Sequence, residues 1–207
     1  PSPTMNPRTS FAGAMGPNAP EGRYRYVLTK GKKTYEGFVD VAYDKAYPHS
    51  KADRKVQQEI VSELYGMLSR MAYVAEAAAG LRDEIRGRAD LLKENDKLAR
   101  QLREFGDDVD QFHGTLMVTD DIQGISGQEK LREKVVNLYA AIAGYGGLPT
   151  AGQLARLEEF RADILKANQE FVELTEEPLE KLNKKLMKKE LAEVKLLTLE
   201  EYEKKND

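Results

Sequence analysis

The chain has no cysteine, no tryptophan and only two histidines among its 207 residues. Without thiols it can build neither a disulfide framework nor a thiolate metal site, which fits the cytoplasm and an unstapled periplasmic domain equally. His49 and His113 fall in a linker and on a helical stretch and form no His-x-x-x-His pair. They fall short of the three or four converging ligands that a transition metal takes. No apolar run reaches 18 residues, so nothing reads as a membrane-spanning helix. Charge of one sign is missing too. The 32 basic side chains face 35 acidic ones, and residues 1–50 carry +3 (7 basic, 4 acidic) against −6 for the rest. Neither part has the single-sign field of a nucleic-acid binder. There is no Walker loop and no Gly-x-Gly-x-x-Gly after a strand.

Helical periodicity is what the chain has in quantity. Val56, Ile60, Leu64, Met67, Met71, Val74, Ala78, Leu81 and Ile85 recur at steps of 4, 4, 3, 4, 3, 4, 3 and 4, so one face of a helix over about 51–87 is apolar throughout. At 1.5 Å per residue such a helix runs to roughly 55 Å and needs an equally long partner. A second stripe supplies one: Leu91, Asn95, Leu98, Leu102, Phe105, Val109, Phe112 and Leu116. The segment 86–90 is the expected reversal, with Asp90 capping the second helix, and the pair reads as an antiparallel, coiled-coil-like hairpin. Gly66, Gly80 and Gly87 each cost about 1 kcal/mol in a helix interior. They suggest a neighbour packed closely beside Ala75, Ala77, Ala78 and Ala79. Ser126 with Glu129 and Thr150 with Gln153 read as capping boxes for a third and a fourth helix. Leu131, Val135, Leu138 and Ile142 face inward on the third, and Leu157, Phe160, Ile164, Ala167, Phe171 and Leu174 on the fourth. Pro178 predicts a kink or break in the fourth helix.

Ahead of the helices, five of the eight prolines fall within residues 1–22, an extended lead-in. The alternation in Arg23–Thr29 places Tyr24, Tyr26 and Leu28 on one side, and that in Thr34–Val41 places Tyr35, Val39 and Val41 on one face. With the turn at Lys30–Lys33 these make a β-hairpin. Two strands are marginal alone, so the hairpin must dock on the helices, pair with a copy, or be the remainder of a larger β-sandwich, the reading favoured here. The expected fold is mainly α. An antiparallel three- to four-helix bundle with a long coiled-coil-like hairpin follows a short β-hairpin. Residues 1–47 are lead-in and hairpin, 48–190 the bundle, and 191–207 a frayed charged tail.

No constellation of side chains specifies a chemistry. Asp107, Asp108 and Asp110, with Asp120 and Asp121, lack the spacing of an EF-hand loop. Gly124–Gly127 resembles a nucleophile elbow only in its letters. Gly144, Gly146 and Gly147 could cradle an anion but serve better as a helix stop. Lys30, Lys32 and Lys33, with Lys184, Lys185, Lys188 and Lys189, read as turn and solvated helix face. Asn95 and Asn168, in or beside the seams, could fix helix register if they face each other. No catalytic, cofactor or metal residue is read from the chain. Tyr65, Leu68, Tyr73, Tyr139 and Tyr145, apolar residues outside the expected seams, are the candidate contact surface.

Met15-Gly16-Pro17-Asn18-Ala19-Pro20-Glu21-Gly22-Arg23-Tyr24, then Val27-Leu28-Thr29 and Gly31-Lys32-Lys33-Thr34-Tyr35, resembles the last strands of the immunoglobulin-like module in large secreted bacterial proteins. Those proteins carry sialidase-like or sortilin-type (BNR-repeat) β-propellers and are often labelled glycosyl hydrolases. The helical tail of that family is similar to Leu138-Tyr139, Pro149 to Leu154, and Leu179-x-x-Leu182-Asn183. The resemblance implies a periplasmic or extracellular accessory region, a fragment of a longer precursor. Its partner is then a protein, either the rest of the parent chain or a second copy in a homodimer. No propeller residue can be carried onto this sequence. Two other functions stay open: a part of a glycosyl hydrolase that contributes to its substrate cleft, and a cytoplasmic coiled-coil adaptor.

Overall fold

Helix α1, Lys51–Asp90, is 40 residues long, about 60 Å, and sets the length of the molecule. The computed structural model describes residues 16–44, 46–118 and 129–206. The Ser50 hydroxyl accepts from the Asp53 amide at 3.1 Å and the Asp53 carboxylate accepts from the Ser50 amide at 3.2 Å, which satisfies two donors that a helix start leaves open. Helix α2, Lys97–Leu116, turns back along the second half of α1. Helix α3, Leu131–Ala143, continues in that direction along the first half. Helix α4, Ala151–Met187, opened by the Thr150–Gln153 box, then runs parallel to α1. The protein is therefore a mainly helical up-down-up bundle whose middle member is divided in two. A two-stranded antiparallel hairpin, β1 (Gly22–Lys30) and β2 (Lys33–Val41), precedes it.

Two cores stack along the rod. At one level Val61, Leu64, Leu68 and Met71 of α1 meet Val135, Tyr139 and Ile142 of α3 and Leu157, Phe160 and Ile164 of α4. At the other, Val74, Ala78, Leu81 and Ile85 meet Leu102, Phe105, Val109 and Phe112 of α2 and Phe171, Leu179, Leu182 and Leu186 of α4. The Phe112 and Phe171 rings stack with centroids 5.5 Å apart.

Several sequence expectations are corrected. The reversal lies at 91–96 rather than 86–90, because α1 continues far enough to bury Ala89 and it is Asp96 that caps α2, accepting from the Leu98 amide at 2.8 Å. Leu91 is therefore exposed, and Asn95 lies exposed in the turn, away from the seam where it was to meet Asn168. In its first half α1 buries Gln57, Val61, Leu64, Leu68 and Met71; Val56 is exposed and Ile60 and Met67 lie on the rim. The seam contains a polar residue, which periodicity passes over: the Gln57 amide donates to the Ile142 carbonyl at 2.8 Å. Gly66, Gly80 and Gly87 face open space, while Ala75, Ala77 and Ala78 are buried. Helix α4 continues through Pro178 rather than breaking there, with buried Thr175 and Leu179 on either side of it. The Ser126 half of the expected capping box, Asp120, Asp121 and Gly124–Gly127 lie outside the described residues.

The tail is not frayed. Residues 191–198 form an extended strap that returns down the rod, with Val194 buried and Leu191, Leu196 and Leu197 against the second core. It ends in helix α5, Leu199–Asn206, where Thr198 and Glu201 form a capping box.

Candidate functional site

The hairpin register pairs Gly22 with Val41, Tyr24 with Val39, Tyr26 with Gly37 and Leu28 with Tyr35. Its two-residue turn has Gly31 at φ +61° with Lys32 at negative φ, the type II′ pattern whose first position favours glycine. Alternation then sorts the side chains by face. One face carries Tyr24, Tyr26, Leu28, Tyr35, Gly37, Val39 and Val41, with Lys30 and Lys33 at its turn end. The other carries the Arg25–Glu36 and Arg23–Asp40 ion pairs, with the Arg23 guanidinium 4.9 Å from the Phe38 ring centroid. The Tyr26 ring lies across Gly37, where a Cβ would stand 2.3 Å from the tyrosine oxygen. Among the described residues no element covers the apolar stretch of this face: Tyr26 is 52%, Leu28 60%, Tyr35 51% and Val39 48% exposed. Side chains of these sizes normally lose most of that area to a neighbour, and Val27 and Phe38 on the opposite face are exposed as well, at 53% and 61%.

Because Lys30 and Lys33 close a two-residue turn, they and every second pair after them exchange the ladder hydrogen bonds. The main-chain groups of Arg23, Arg25, Val27 and Thr29 therefore point away from β2, and those of Thr34, Glu36, Phe38 and Asp40 point away from β1. Among the described residues no further strand pairs with either edge of the ribbon.

A collar of rings and one guanidinium fixes the ribbon to the bundle. Arg54, with its side chain 12% exposed, donates to the His49 carbonyl at 2.5 Å and to the Glu21 carboxylate at 2.9 Å. It also stands over the Tyr43 ring, 4.4 Å from the centroid. One side chain thus grips the segments that enter and leave the ribbon. The hydrogen bond from Arg54 holds the Glu21 carboxyl below its usual range, so it remains a carboxylate and is no proton donor near neutrality. Tyr43, Tyr47, His49 and Tyr145 continue as a chain of ring contacts at 4.9, 5.6 and 4.9 Å. Gly146 and Gly147 are the floor on which Tyr47 and His49 rest: a Cβ would fall 1.6 Å from the Tyr47 oxygen and 2.7 Å from the His49 ring. Their glycines serve this close approach, and Gly144 alone caps α3.

Of the five sequence candidates, only Tyr145 is exposed, on the collar. Leu68 and Tyr139, 3% and 1% exposed, belong to the first core. This corrects their placement outside the seam, since the rotated register of α1 brings Leu68 inward and α3 closes over it with Tyr139. Tyr65 is half-buried beside Tyr139, and Tyr73 is half-buried under the C-terminal strap. Sequence reasoning missed Arg54 altogether. It had the ribbon face in hand but did not rank it as a contact surface.

On the flank shared by α1 and α2 four charged side chains are engaged with one another. Asp110 accepts from Arg82 at 2.7 Å and from Arg86 at 3.3 Å, and Asp107 accepts from Arg86 at 3.1 Å. The Arg82 bond foremost holds the Asp110 carboxyl below its usual range. His113 is half-buried on the same flank, where desolvation and then Arg82 lower its pKa. Among the described residues no three of His, Asp and Glu are grouped to hold a metal ion, and no helix is long and apolar enough to cross a membrane. No protein-family model, curated protein or solved structure matches this chain.

Proposed function

We propose that the protein is a non-catalytic interaction module that docks through the β-ribbon and carries the helical rod as a rigid extension. The apolar stretch of the ribbon face, about half exposed at Tyr26, Leu28, Tyr35 and Val39 and uncovered there by any described element, is the observation that carries this reading. The collar supports it, because a flexible tether would not need a buried arginine and four rings. The occupant is a β-rich surface that adds strands at the edges of the ribbon and lays a second layer on its apolar stretch. Size argues against a second copy packed face to face. Nine residues at about 3.4 Å and two strands at about 4.8 Å make a face of roughly 300 Å², and two such faces fall short of the ~1,200 Å² of a stable interface. The likeness of residues 15–35 to the final strands of an immunoglobulin-like module favours a β-partner in the same polypeptide, that of an exported protein.

Amide exchange tests the proposal. In the 207-residue chain the outward amides of Arg25, Val27, Glu36 and Phe38 are expected to exchange at nearly unprotected rates. In the full polypeptide translated from its reading frame, the outward amides of at least one edge gain protection of about 100-fold or more. Equal exchange in both would refute docking through the ribbon.

A further inference from the structure

We infer that the partner docked on the ribbon presents a carboxylate-bearing loop to the turn of the ribbon, an inference that rests on the docking reading above. The ribbon carries five cations, and two of them are matched within it, Arg23 by Asp40 and Arg25 by Glu36. The other three crowd around the turn. Lys30 and Lys33 are direct cross-strand partners, Lys32 lies between them, and all three are exposed. Among the described residues none of the three has an ion-pair partner. The Cβ atoms of directly opposed residues stand about 5 Å apart, where like charges destabilise a strand pair. The charge matching that holds along the ribbon is therefore inverted at its tip. Among the described residues nothing offsets that repulsion, and such local conflicts collect where a partner resolves them.

Position decides which anion answers the lysines. Lys30 and Lys33 share a face with Tyr26, Leu28, Tyr35 and Val39, so whatever covers that apolar stretch meets two ammonium groups at its turn end. A protein layer satisfies both with apolar side chains that give way to Asp or Glu at its rim. A nucleic acid offers phosphates to the lysines but no cover to Leu28 and Val39, and it would meet the Glu36 and Asp40 carboxylates on the other face. A bilayer entered turn first would take the lysines through hydrocarbon ahead of the apolar residues, at a cost for each. A second copy laid turn to turn would set lysines against lysines, and like charges brought together across an interface exclude a partner.

The test is Lys33→Glu, read by amide exchange in two contexts whose responses have opposite sign. In the 207-residue chain the substitution turns a repulsive cross-strand pair into an attractive one, so the inward amides of Leu28 and Tyr35 should exchange about threefold more slowly. In the full polypeptide translated from its reading frame it sets like charge against the partner's carboxylates. The outward amides that docking protects should then lose about 10-fold of their protection, while Lys33→Arg keeps it. Protection that rises or stays level in the full polypeptide overturns the acidic loop and leaves docking through the ribbon standing. Unchanged exchange in the 207-residue chain overturns it too, since the lysines would then carry no repulsion to be relieved. If the unaltered full polypeptide protects no outward amide, docking itself fails and the acidic loop with it. Binding of the 207-residue chain to a short DNA duplex or to phosphatidylserine vesicles, weakened about 10-fold by Lys33→Glu, would assign the anion to phosphate and overturn the carboxylate loop.

Discussion

Removing the Arg54 side chain should loosen the ribbon while leaving the rod standing. The side chain makes three attachments in the collar. The bond to the His49 carbonyl comes from a charged donor and contributes about 1.5 kcal/mol. The Tyr43 ring under a largely desolvated guanidinium adds about 1 kcal/mol. The Glu21 partner is given no weight, because its carboxylate recovers water once freed. Arg54→Ala therefore costs the collar about 2.5 kcal/mol, which at about 1.4 kcal/mol per tenfold raises its local opening roughly 60-fold. The reporter is the Tyr47 amide, which donates to the Asp44 carbonyl at 3.0 Å within the collar. Its exchange should accelerate by about that factor, while Leu64 and Leu102, fully buried in the two cores, keep their protection. Arg54→Lys retains the charge without the fork that reaches both partners, so it should fall between the two. Tyr47 exchange unchanged within about twofold in Arg54→Ala would refute the collar. Equal acceleration of the core amides would show that Arg54 stabilises the bundle rather than the ribbon.

Two further outcomes follow from single sites. Glu190 holds a left-handed conformation that costs an L-residue about 1–2 kcal/mol, part of which glycine returns through its greater unfolded freedom; Glu190→Gly should therefore stabilise by about 0.5–1 kcal/mol and raise Tm by about 2–3 °C, and an unchanged or lower Tm would refute the strain. His113 faces Arg82, Asp83 and Asp110, and its folded pKa lies below the ordinary 6.5, first through burial. As pH falls below about 6.5 the unfolded chain takes up this proton first, so stability drops until the folded pKa is passed. His113→Gln should flatten Tm against pH in that window, and a parallel curve for the two proteins would refute it.

What the sequence disclosed was what repeats. Leu98, Leu102, Phe105, Val109, Phe112 and Leu116 are all buried on one face of α2 as their spacing required, because a helix seam is a local property that neighbours one or two turns away reinforce. In the first half of α1 Leu64 and Met71 are buried as their spacing requires, while Val56, Ile60 and Met67 give way to their neighbours Gln57, Val61 and Leu68, and of these Gln57 is the one no apolar pattern offers. It is buried for a reason that lies 85 residues away, at the end of α3, and no window along the chain contains that reason. The same holds for Arg54. Read in sequence it is one more cation near a helix start, and only the return of the chain through Glu21, Tyr43 and His49 gives it three partners.

The tail was misjudged for a related reason. Glu200, Glu201, Glu203, Lys204 and Lys205 have the composition of a solvated end, and charge outweighed two quieter signals, the Thr198-x-x-Glu201 box and the apolar spacing of Leu191, Val194 and Leu197. The structure reverses the weighting because Asn183 offers a donor and an acceptor to one residue's main chain, so the strap needs few buried side chains to stay down. Gly146 and Gly147 make the complementary point. In sequence a helix stop is a sufficient reading of them, yet they lie where two aromatic rings press against the backbone. In this protein the periodic middle of the chain builds the rod. The non-periodic residues, Arg54, Gln57, Gly146, Asn183 and Glu190, decide what is attached to it, and the surfaces proposed here for binding lie among those attachments.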